Sequence, residues 1–448
     1  MRVAVIGAGF AGVSSAKYML AAGFEVVVYE AGSNVGGLWV YENDNGRAQA
    51  YRHLCIISTR KHTHFSDFDF DASTPRFPTH WDMHRYLQRY ADHFGVTPHV
   101  RFRSPVAAVE PAGDGRWTVR TEGGEEVFDA VLVATGHLNE PRHAPELAEF
   151  GGEYLHSSAY RVADPFVGRR VAVVGTGNSG VDVASDVCSV AERTVLVARS
   201  GVVIQPKVVF GVPFPDIAIG LRARPWIPAW IRNRILRTLV SLAHGNQRRL
   251  GFLPPTARTH PTSSEAIVAH IEFNRVAVKP GITAVDGKTL TFADGSQEDF
   301  DVLVGATGYR VHLPFLSPEV LPVEGNHVDL YKRIFVPGRP GLYFIGMLNP
   351  LTSLNAIFER QAHLVARCVA GEVTLPDEGA MRADIARKKA LSAAIFTDSP
   401  RHELEEPDTG YVEELRDLVK RGSRSAPGSL ATRLRRDRAE RSDLGAGV

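Results

Sequence analysis

Three features are scarce in this chain of 448 residues, and each scarcity excludes a class of protein. The three cysteines, Cys55, Cys188 and Cys368, are far apart and form no CxxC pair, which excludes a disulfide framework and a dithiol redox centre. The formal net charge is only +1, so no general field attracts nucleic acid. No uncharged apolar run reaches about 18 residues, so a spanning helix is not expected.

The bulk composition is that of a globular protein. Hydrophobic residues make up 44% of the chain and charged residues 23%, and the length predicts two or three domains. Met1 and Arg2 are followed at once by the apolar run Val3–Ile6, which leaves no room for a signal peptide and favours a cytoplasmic protein. The histidines between residues 51 and 100 lack the spacing of a compact ligand set, so no metal site is predicted.

The first motif is a glycine-rich turn of dinucleotide-binding type. Val3–Ile6 is predicted to be a buried strand that feeds this turn and then a helix over residues 14–22. The next strand, residues 25–30, ends in Glu30, at the distance where such folds place an acceptor for ribose hydroxyls. The helix N-terminus supplies donors to a pyrophosphate. The turn itself consists of Gly7, Ala8, Gly9, Phe10, Ala11 and Gly12.

A second turn of the same type follows a strand over residues 169–174. The strand after it ends in Ala198, Arg199 and Ser200 and carries no acid. A carboxylate there would repel a 2′-phosphate, whereas Arg199 and Ser200 can bind one, so this site is predicted to prefer NADPH to NADH. The residues predicted to bind NADPH are Gly175, Gly177, Asn178, Ser179, Gly180, Asp182, Arg199, Ser200, Thr307 and Gly308.

Other small-residue turns lie where the chain would approach a cofactor. Gly36 and Gly37 precede Leu38 and Trp39, and the alternative for Trp39 is a core aromatic. A buried strand over residues 128–134 ends in Thr135 and Gly136. Two further strands, at residues 289–292 and 300–305, are predicted around the turn 293–296, and a core strand covers residues 341–346.

Between the two glycine turns lies a stretch that we call the joint, Phe150–Tyr160. It has the pattern FxGxxxHxxxY, with Phe150, Gly152, His156 and Tyr160 at the defined positions. His156 and Tyr160 are predicted to coordinate the domains and the cofactors. A direct catalytic role for His156, or a purely structural histidine bonded between domains, remains open at this point.

Residues 209–260 read as an insertion rich in Pro, Trp and Arg. Apolar residues at helical spacing predict a helix that docks on its own protein, and the alternative is a membrane-surface or substrate-entry helix over residues 226–243. These residues are Ile227, Ile231, Ile235, Leu239 and Leu242. Residues 355–370 are predicted to form a helix, and residues 422–448 a mobile tail to which no function is assigned.

Taken in order, these motifs resemble the flavin-containing monooxygenases, bacterial-type members of the class B flavoprotein monooxygenases. The resemblance covers roughly residues 1–370. It implies an α/β protein with two Rossmann-like dinucleotide-binding domains. A discontinuous FAD domain would cover residues 1–160 and 300–375, an inserted NADPH domain residues 161–299, and a charged helical region residues 376–448. It rests on Gly7–Gly12, Glu30, Gly36–Trp39, Phe65–Phe68, the joint, Gly175–Gly180, His260–Thr262, Ala306–Tyr309 and Gly341–Gly346.

The resemblance also implies a chemistry. NADPH reduces FAD, dioxygen adds to the reduced flavin, and the flavin hydroperoxide oxygenates a small organic substrate at nitrogen or sulfur. Tyr160 resembles the flavin-containing form, because the Baeyer–Villiger relatives usually have tryptophan there. The residues expected to contact FAD are the first turn, Glu30, Gly37, Leu38, Trp39, Ser58, Thr135 and Gly136.

One position departs from the family pattern. Ile57 stands where an asparagine usually contacts both the flavin and the nicotinamide cofactor, and isoleucine cannot donate a hydrogen bond. Either Ser58 or Thr59 substitutes as a catalytic donor, or part of the NADPH ends as hydrogen peroxide. The alternatives are therefore Baeyer–Villiger oxidation of a ketone, a poorly coupled NADPH oxidase, or a non-catalytic flavoprotein redox sensor.

Overall fold

The computed structural model describes residues 1–224, 226–255, 260–350, 354–396, 403–406 and 410–422. The strands in these ranges are β1 (Arg2–Ile6), β2 (Glu25–Tyr29), β3 (Val100–Arg101), β4 (Val106–Gly113), β5 (Arg116–Thr121), β6 (Gly124–Phe128), β7 (Ala130–Val133), β8 (Glu140–Pro141), β9 (Glu153–His156), β10 (Arg170–Val174), β11 (Arg193–Val197), β12 (Ile204–Gln205), β13 (Val208–Val209), β14 (Val212–Pro213), β15 (Thr262–Ser263), β16 (Val276–Lys279), β17 (Ile282–Asp286), β18 (Thr289–Phe292), β19 (Gln297–Asp299), β20 (Val302–Gly305), β21 (Tyr309–Arg310), β22 (Val323–Glu324), β23 (His327–Val328) and β24 (Leu342–Phe344).

The α-helices in the same ranges show that every helix predicted above is present, with ends that shift by a few residues. They are α1 (Phe10–Ala21), α2 (Arg60–Thr63), α3 (His80–His93), α4 (Asn178–Val187), α5 (Phe214–Arg222), α6 (Ala229–His244), α7 (Ala266–Glu272), α8 (Leu354–Val369), α9 (Glu378–Ile395) and α10 (Tyr411–Gly422). In the described part of the chain, no helix is long and apolar enough to cross a membrane.

The first sheet has the strand order β24-β7-β1-β2-β3, and its strands are parallel. Alternate residues of β1 face opposite sides of the sheet because side chains in a strand alternate. Val3 and Val5 pack toward a core that includes residues of α1 and α8. Ala4 and Ile6 pack toward a second core that includes residues of the antiparallel meander β4–β6. Both faces of β1 are buried, which explains its uninterrupted apolar sequence.

The second sheet repeats this design with the order β16-β11-β10-β20-β9, again parallel. Val171 and Val173 face a core shared with α4 and α7, and Ala172 faces a core shared with the meander β17–β19. The predicted α/β fold with two Rossmann-like domains is therefore confirmed. The first sheet is discontinuous in the chain, because its strand β24 comes after all five strands of the second sheet, whereas its other four strands come before them.

Two details of the predicted organisation are corrected. β9 and β20 pair in the second sheet, although the proposed boundaries placed both in the first domain. The turn 293–296 joins β18 to β19, whereas β20 leaves the meander and pairs with β10. A short apolar run has the same pattern in either sheet, so the sequence could not assign these strands to a partner.

The insertion helix forms as predicted but packs through a different face. Ile235 and Leu242 are exposed, whereas Leu236, Leu239 and Val240 pack in a small core with residues of α5. The interpretation of a helix docked on its own protein is thus supported, although Leu239 is the one member of the predicted row that belongs to this core.

The charged C-terminal helices are part of the first domain's packing. Lys332 Nζ lies 3.0 Å from an Asp384 carboxylate oxygen on α9 and 2.7 Å from a Glu414 oxygen on α10. The Tyr411 hydroxyl on α10 donates to the Lys332 carbonyl oxygen at 2.6 Å. The tail predicted at residues 422–448 falls, apart from its first residue, outside the described residues.

Candidate active site

The first glycine turn lies at the carboxyl end of β1 and meets the start of α1 with almost no space between them. Gly7 has a φ of +101°, and a Cβ added there would lie 2.8 Å from the Ala134 carbonyl oxygen. A Cβ at Gly12 would lie 1.8 Å from the Gly7 carbonyl oxygen, so only glycine permits this approach of helix and strand. Gly9 is the N-cap of α1 and provides no side-chain acceptor, which leaves the first N–H groups of the helix available to a phosphate.

Glu30 and the glycine pair at 36–37 surround this turn. Glu30 is 4% exposed, and its carboxylate accepts from Ala8 N at 2.7 Å and from Gly32 N at 2.8 Å. The Gly36 N–H donates to the Ala8 carbonyl oxygen at 3.0 Å. Gly37 comes so close to the turn that a Cβ on it would be 3.1 Å from Gly9 Cα. These backbones can therefore lie against a dinucleotide without a side chain between them.

The remaining residues predicted for FAD fall into two groups. Leu38 is exposed, whereas Trp39 is partly buried and packs against the core on the α1 side, which was the alternative for this residue. Thr135 and Gly136 follow β7 at the same sheet end as the turn, and Gly136 has a φ of +74°. The Thr135 hydroxyl is buried and has no partner among the described residues. An unsatisfied buried hydroxyl beside the turn fits a site built for a polar ligand.

The second glycine turn reproduces the first. Gly175 has a φ of +118°, and a Cβ there would lie 2.4 Å from the Ala306 carbonyl oxygen. A Cβ at Gly180 would lie 2.0 Å from the Gly175 carbonyl oxygen. Gly177 is the N-cap of α4 and again has no capping side chain, while the Asn178 side chain accepts from Ser263 N at 3.0 Å. Asn178 thus holds the strand β15 beside the turn, and Ser179 follows in the first turn of α4.

Arg199 lies at the end of β11 with its neighbour Ser200, and both are exposed. The Arg199 guanidinium forms no ion pair or hydrogen bond with any residue in the described ranges. Its stem packs on the Gly281 backbone, because a Cβ added to that glycine would come within 3.1 Å of Arg199 Cγ. A supported cation without a protein partner fits a site for a phosphate group, so the residues at this turn suit a 2′-phosphorylated dinucleotide.

Asp182 points toward the first domain. Its carboxylate accepts from the Tyr51 hydroxyl at 2.6 Å, and burial raises its pKa. One helical turn later, Asp186 accepts from the Tyr160 hydroxyl at 2.5 Å and lies 3.2 Å from His53 Nδ1. Contact between Asp182 and NADPH therefore stays a prediction, while the geometry shows α4 holding the loop that carries Tyr51 and His53.

The joint ties the second sheet to the crossing between the domains. The two chain segments that connect the domains run side by side there, because β8 and β21 form an antiparallel pair. His156 is 4% exposed; its Nδ1 accepts from Ser158 N at 3.1 Å, and its Nε2 lies 3.0 Å from the Gly308 carbonyl oxygen, to which it donates. The Tyr309 ring meets the His156 ring edge-on at 5.3 Å. His156 thus holds the segment Thr307–Tyr309, which enters the crossing.

These contacts leave little scope for proton transfer by the joint. Burial lowers the pKa of His156 to about 4, so the imidazole is neutral at pH 7. Burial, with the Asp186 carboxylate beside it, raises the pKa of the Tyr160 hydroxyl well above its usual range. The Thr307 hydroxyl is also engaged, because it donates to the Arg142 carbonyl oxygen. His156 and Tyr160 thus hold the segment Thr307–Tyr309 and α4 to the end of β9, and their role in coordinating the domains and the cofactors stays a prediction.

Neutral His156 makes stability depend on pH in a defined direction. Its pKa is 6.5 when unperturbed and about 4 when folded, so its contribution is fully present above pH 6.5 and is lost as pH falls from 6.5 to 4. Between pH 7 and pH 5 this amounts to about 2 kcal/mol of unfolding free energy. Urea titrations are expected to show that loss in the native protein and a correspondingly smaller loss in His156→Gln. Equal losses in the two proteins would contradict the assignment.

The loop at residues 57–59 carries the predicted catalytic hydroxyls. Ile57 is exposed, and the Ser58 hydroxyl lies 2.7 Å from the Thr63 hydroxyl. Thr59 is 1% exposed and donates to Asp216 Oδ1 on α5 at 2.8 Å. Each of the two candidate hydroxyls therefore already has a hydrogen-bond partner within the protein. Their role as substitutes for the missing asparagine stays a prediction.

Sequence reasoning missed the partners that hold these loops. Glu359 on α8 accepts from Ser66 N at 2.9 Å and so holds the Phe65–Phe68 motif against that helix. The Gln361 side chain accepts from Gly346 N at 2.8 Å and donates to the Tyr411 hydroxyl at 2.7 Å. An acid and an amide at helical spacing with the apolar residues of α8 were the available signal for these roles.

Two glycine turns, each at the carboxyl end of a parallel sheet and linked by the paired strands β8 and β21, define a flavoprotein oxidoreductase with two dinucleotide-binding domains. Residues 1–425 match the family described as flavin-binding monooxygenase-like, and the chain belongs to this family. It is an NADPH-dependent flavoprotein monooxygenase that uses FAD, with molecular oxygen as co-substrate. The resemblance inferred from the motifs is confirmed.

Known relatives are similar along most of the chain. Flavin-containing monooxygenase 5 of Rattus norvegicus is 32% identical over 442 residues, which cover 93% of this chain and 82% of that protein. Dimethylaniline monooxygenase [N-oxide-forming] 2 of Mus musculus is 30% identical over 441 residues, or 92% and 82%. The same fold occurs in S-allyl-L-cysteine S-oxygenase from Allium sativum, with a TM-score of 0.71 at 24% identity and coverage of 98% of this chain and 93% of that chain.

Proposed function

We propose that this protein transfers one oxygen atom from dioxygen to nitrogen or sulfur in a small organic molecule, with FAD at the first turn and NADPH at the second. Each turnover would consume NADPH, a proton, dioxygen and substrate and release NADP⁺, water and the N-oxide or S-oxide. FAD held at the first turn would supply the oxygenating chemistry once it is reduced. The observation that carries the proposal is the pair of glycine turns, in which helix and strand approach so closely at Gly12 and Gly180 that a side chain would clash with the backbone of Gly7 or Gly175.

The protein's own residues would contribute position and exclusion of water. Glu30 lies at the first turn with its carboxylate already bonded to Ala8 N, where it can also accept from a ribose hydroxyl. Arg199 provides an uncompensated cation for a 2′-phosphate. Tyr160 and the name of the mouse relative, which specifies N-oxide formation, favour heteroatom oxygenation over ketone oxidation.

The test follows NADPH loss, hydrogen peroxide and product together for methyl p-tolyl sulfide, N,N-dimethylaniline and cyclohexanone. We expect sulfoxide or N-oxide in an amount equal to NADPH consumed minus peroxide formed. A lactone from cyclohexanone without heteroatom products would establish Baeyer–Villiger oxidation instead. Peroxide as the sole product would establish an NADPH oxidase, and slow reoxidation by air without product would establish a redox sensor.

Ile57 predicts incomplete coupling. Its side chain offers no donor, and the hydroxyls of Ser58 and Thr59 are engaged with Thr63 and Asp216. Ile57→Asn is expected to lower the ratio of peroxide to product about fivefold, since one hydrogen bond contributes about 1 kcal/mol. Ile57→Val is the matched control without a donor. A native peroxide yield near zero with a well-turned-over substrate, or equal ratios in both variants, would contradict this explanation.

A further inference from the structure

A cavity of about 400 Å³ lies between the first domain and the insertion. Its volume is within the range of small-molecule sites, about 300–1,000 Å³. One wall comes from the start of α2 and from Arg76, and the other from the β13–β14 turn and α5. The lining residues are Thr59, Arg60, Lys61, Arg76, Gly211, Val212, Pro213 and Asp216.

Three cations line this cavity, and none forms an ion pair within the described residues. The Arg60 guanidinium donates to the carbonyl oxygens of Asp71, Ala72 and Thr74, which are uncharged acceptors. Arg76 Nη1 donates to the Gly211 carbonyl oxygen at 3.0 Å and so connects the two walls. Lys61 is exposed and has no hydrogen-bond or ion-pair partner in the described ranges. The charges on these side chains are therefore uncompensated.

The single acid of the lining does not balance them. Asp216 accepts from the Thr59 hydroxyl at 2.8 Å and lies 3.3 Å from His62 Nε2. Burial lowers the pKa of His62, so this imidazole is neutral at pH 7 and adds no charge. Three cations against one carboxylate leave an excess of positive charge in a concave, partly enclosed space. Such a space concentrates anions, because its low-dielectric walls focus the field.

The position of the cavity connects it to the proposed reaction. Thr59 belongs to its wall and follows Ile57 by two residues, at the place where the family resemblance puts a contact with flavin and nicotinamide. The opposite wall is the insertion, which carries none of the residues predicted to bind either dinucleotide. A ligand in this cavity would therefore lie beside the predicted flavin contact without competing for the two glycine turns.

We propose that the cavity binds the substrate and that this substrate carries a carboxylate or a comparable anionic group, which Lys61 and Arg76 bind. The inference rests on the proposed function, because it names the substrate class of that reaction. The molecule would have a soft nitrogen or sulfur atom at one end and the anion at the other. The anion would hold the reacting atom toward the loop at residues 57–59.

The binding test uses (phenylthio)acetate and its methyl ester, which differ by one charge. Isothermal titration of the FAD-loaded protein without NADPH is expected to show tighter binding of the acid. Lys61→Met should weaken binding of the acid about two- to fivefold and Lys61→Glu about tenfold, with the ester unaffected. Lys61→Arg should retain the native affinity. Lys420→Glu, which alters an exposed lysine on α10, controls for a change in overall charge.

The turnover test uses the same two compounds with NADPH and air. Lys61→Glu is expected to raise KM for the acid with kcat unchanged, and added salt should reduce the preference for the acid. Equal affinities for acid and ester, or no effect of Lys61→Glu, would overturn the inference and leave the oxygenation itself intact. Binding of the acid without sulfoxide from either compound would overturn the proposed function and still support the anion site.

Discussion

Gly180→Ala is expected to yield a protein that retains FAD and loses NADPH binding. The added methyl would lie 2.0 Å from the Gly175 carbonyl oxygen and 3.2 Å from Ala306 Cβ, so α4 must move away from the turn. Overpacking of this kind costs about 1–3 kcal/mol, and moving the helix N-terminus also removes donors from the pyrophosphate, which gives a loss of affinity of about 100-fold. Flavin absorbance measures FAD content, and titration with NADP⁺ measures the second site.

Two variants make this result interpretable. Gly220→Ala is the matched control, because a Cβ on that helical glycine has only Arg224 Nη1 nearby, at 3.9 Å, and neither cofactor should be affected. Gly12→Ala is the counterpart in the first turn, where the methyl would lie 1.8 Å from the Gly7 carbonyl oxygen, and it should abolish flavin content. Native NADP⁺ affinity in Gly180→Ala would show that the second turn does not bind the nucleotide.

Arg199→Glu is expected to remove the preference for NADPH over NADH. The guanidinium has no partner in the described ranges, so its substitution breaks no hydrogen bond or ion pair there. Charge-assisted hydrogen bonds contribute about 1.5–3 kcal/mol, and the new carboxylate repels a 2′-phosphate, so the ratio of kcat/KM for NADPH to that for NADH should fall about 100-fold. The change in cofactor preference is measured by the initial rates of flavin reduction with NADPH and NADH under anaerobic conditions, and the loss of affinity for the 2′-phosphate by titration with NADP⁺.

The control for this variant carries the same charge change elsewhere. Arg234→Glu alters an exposed arginine on α6 and should leave the cofactor ratio unchanged. A ratio that stays at the native value in Arg199→Glu would place the 2′-phosphate contact on another cation. A fall in affinity for both dinucleotides alike would indicate that Arg199 binds the pyrophosphate.

Contacts between elements distant in sequence were the least predictable part of the structure. The meander β4–β6 is half exposed, so it lacks the continuous apolar run that revealed β1 and β10. The helices α9 and α10 contact the first domain through ion pairs with the buried Lys332. The sequence of a charged helix does not indicate which distant residue its acids will pair with. The hydrogen bonds from Tyr51 and Tyr160 to α4 likewise join residues separated by 131 and 26 positions.

The sequence alone determined the two glycine turns, the buried strands before them and the contrast between Glu30 and Arg199. Each of these depends on residues within one βαβ unit, where steric limits on Cβ and the exclusion of charge from a buried strand leave few choices. Only the tertiary structure decided that His156 bonds to Gly308, that the hydroxyls of Ser58 and Thr59 are engaged, and that Arg60, Lys61 and Arg76 line one cavity. Those features arise where separate segments converge, and convergence depends on the packing of the whole chain.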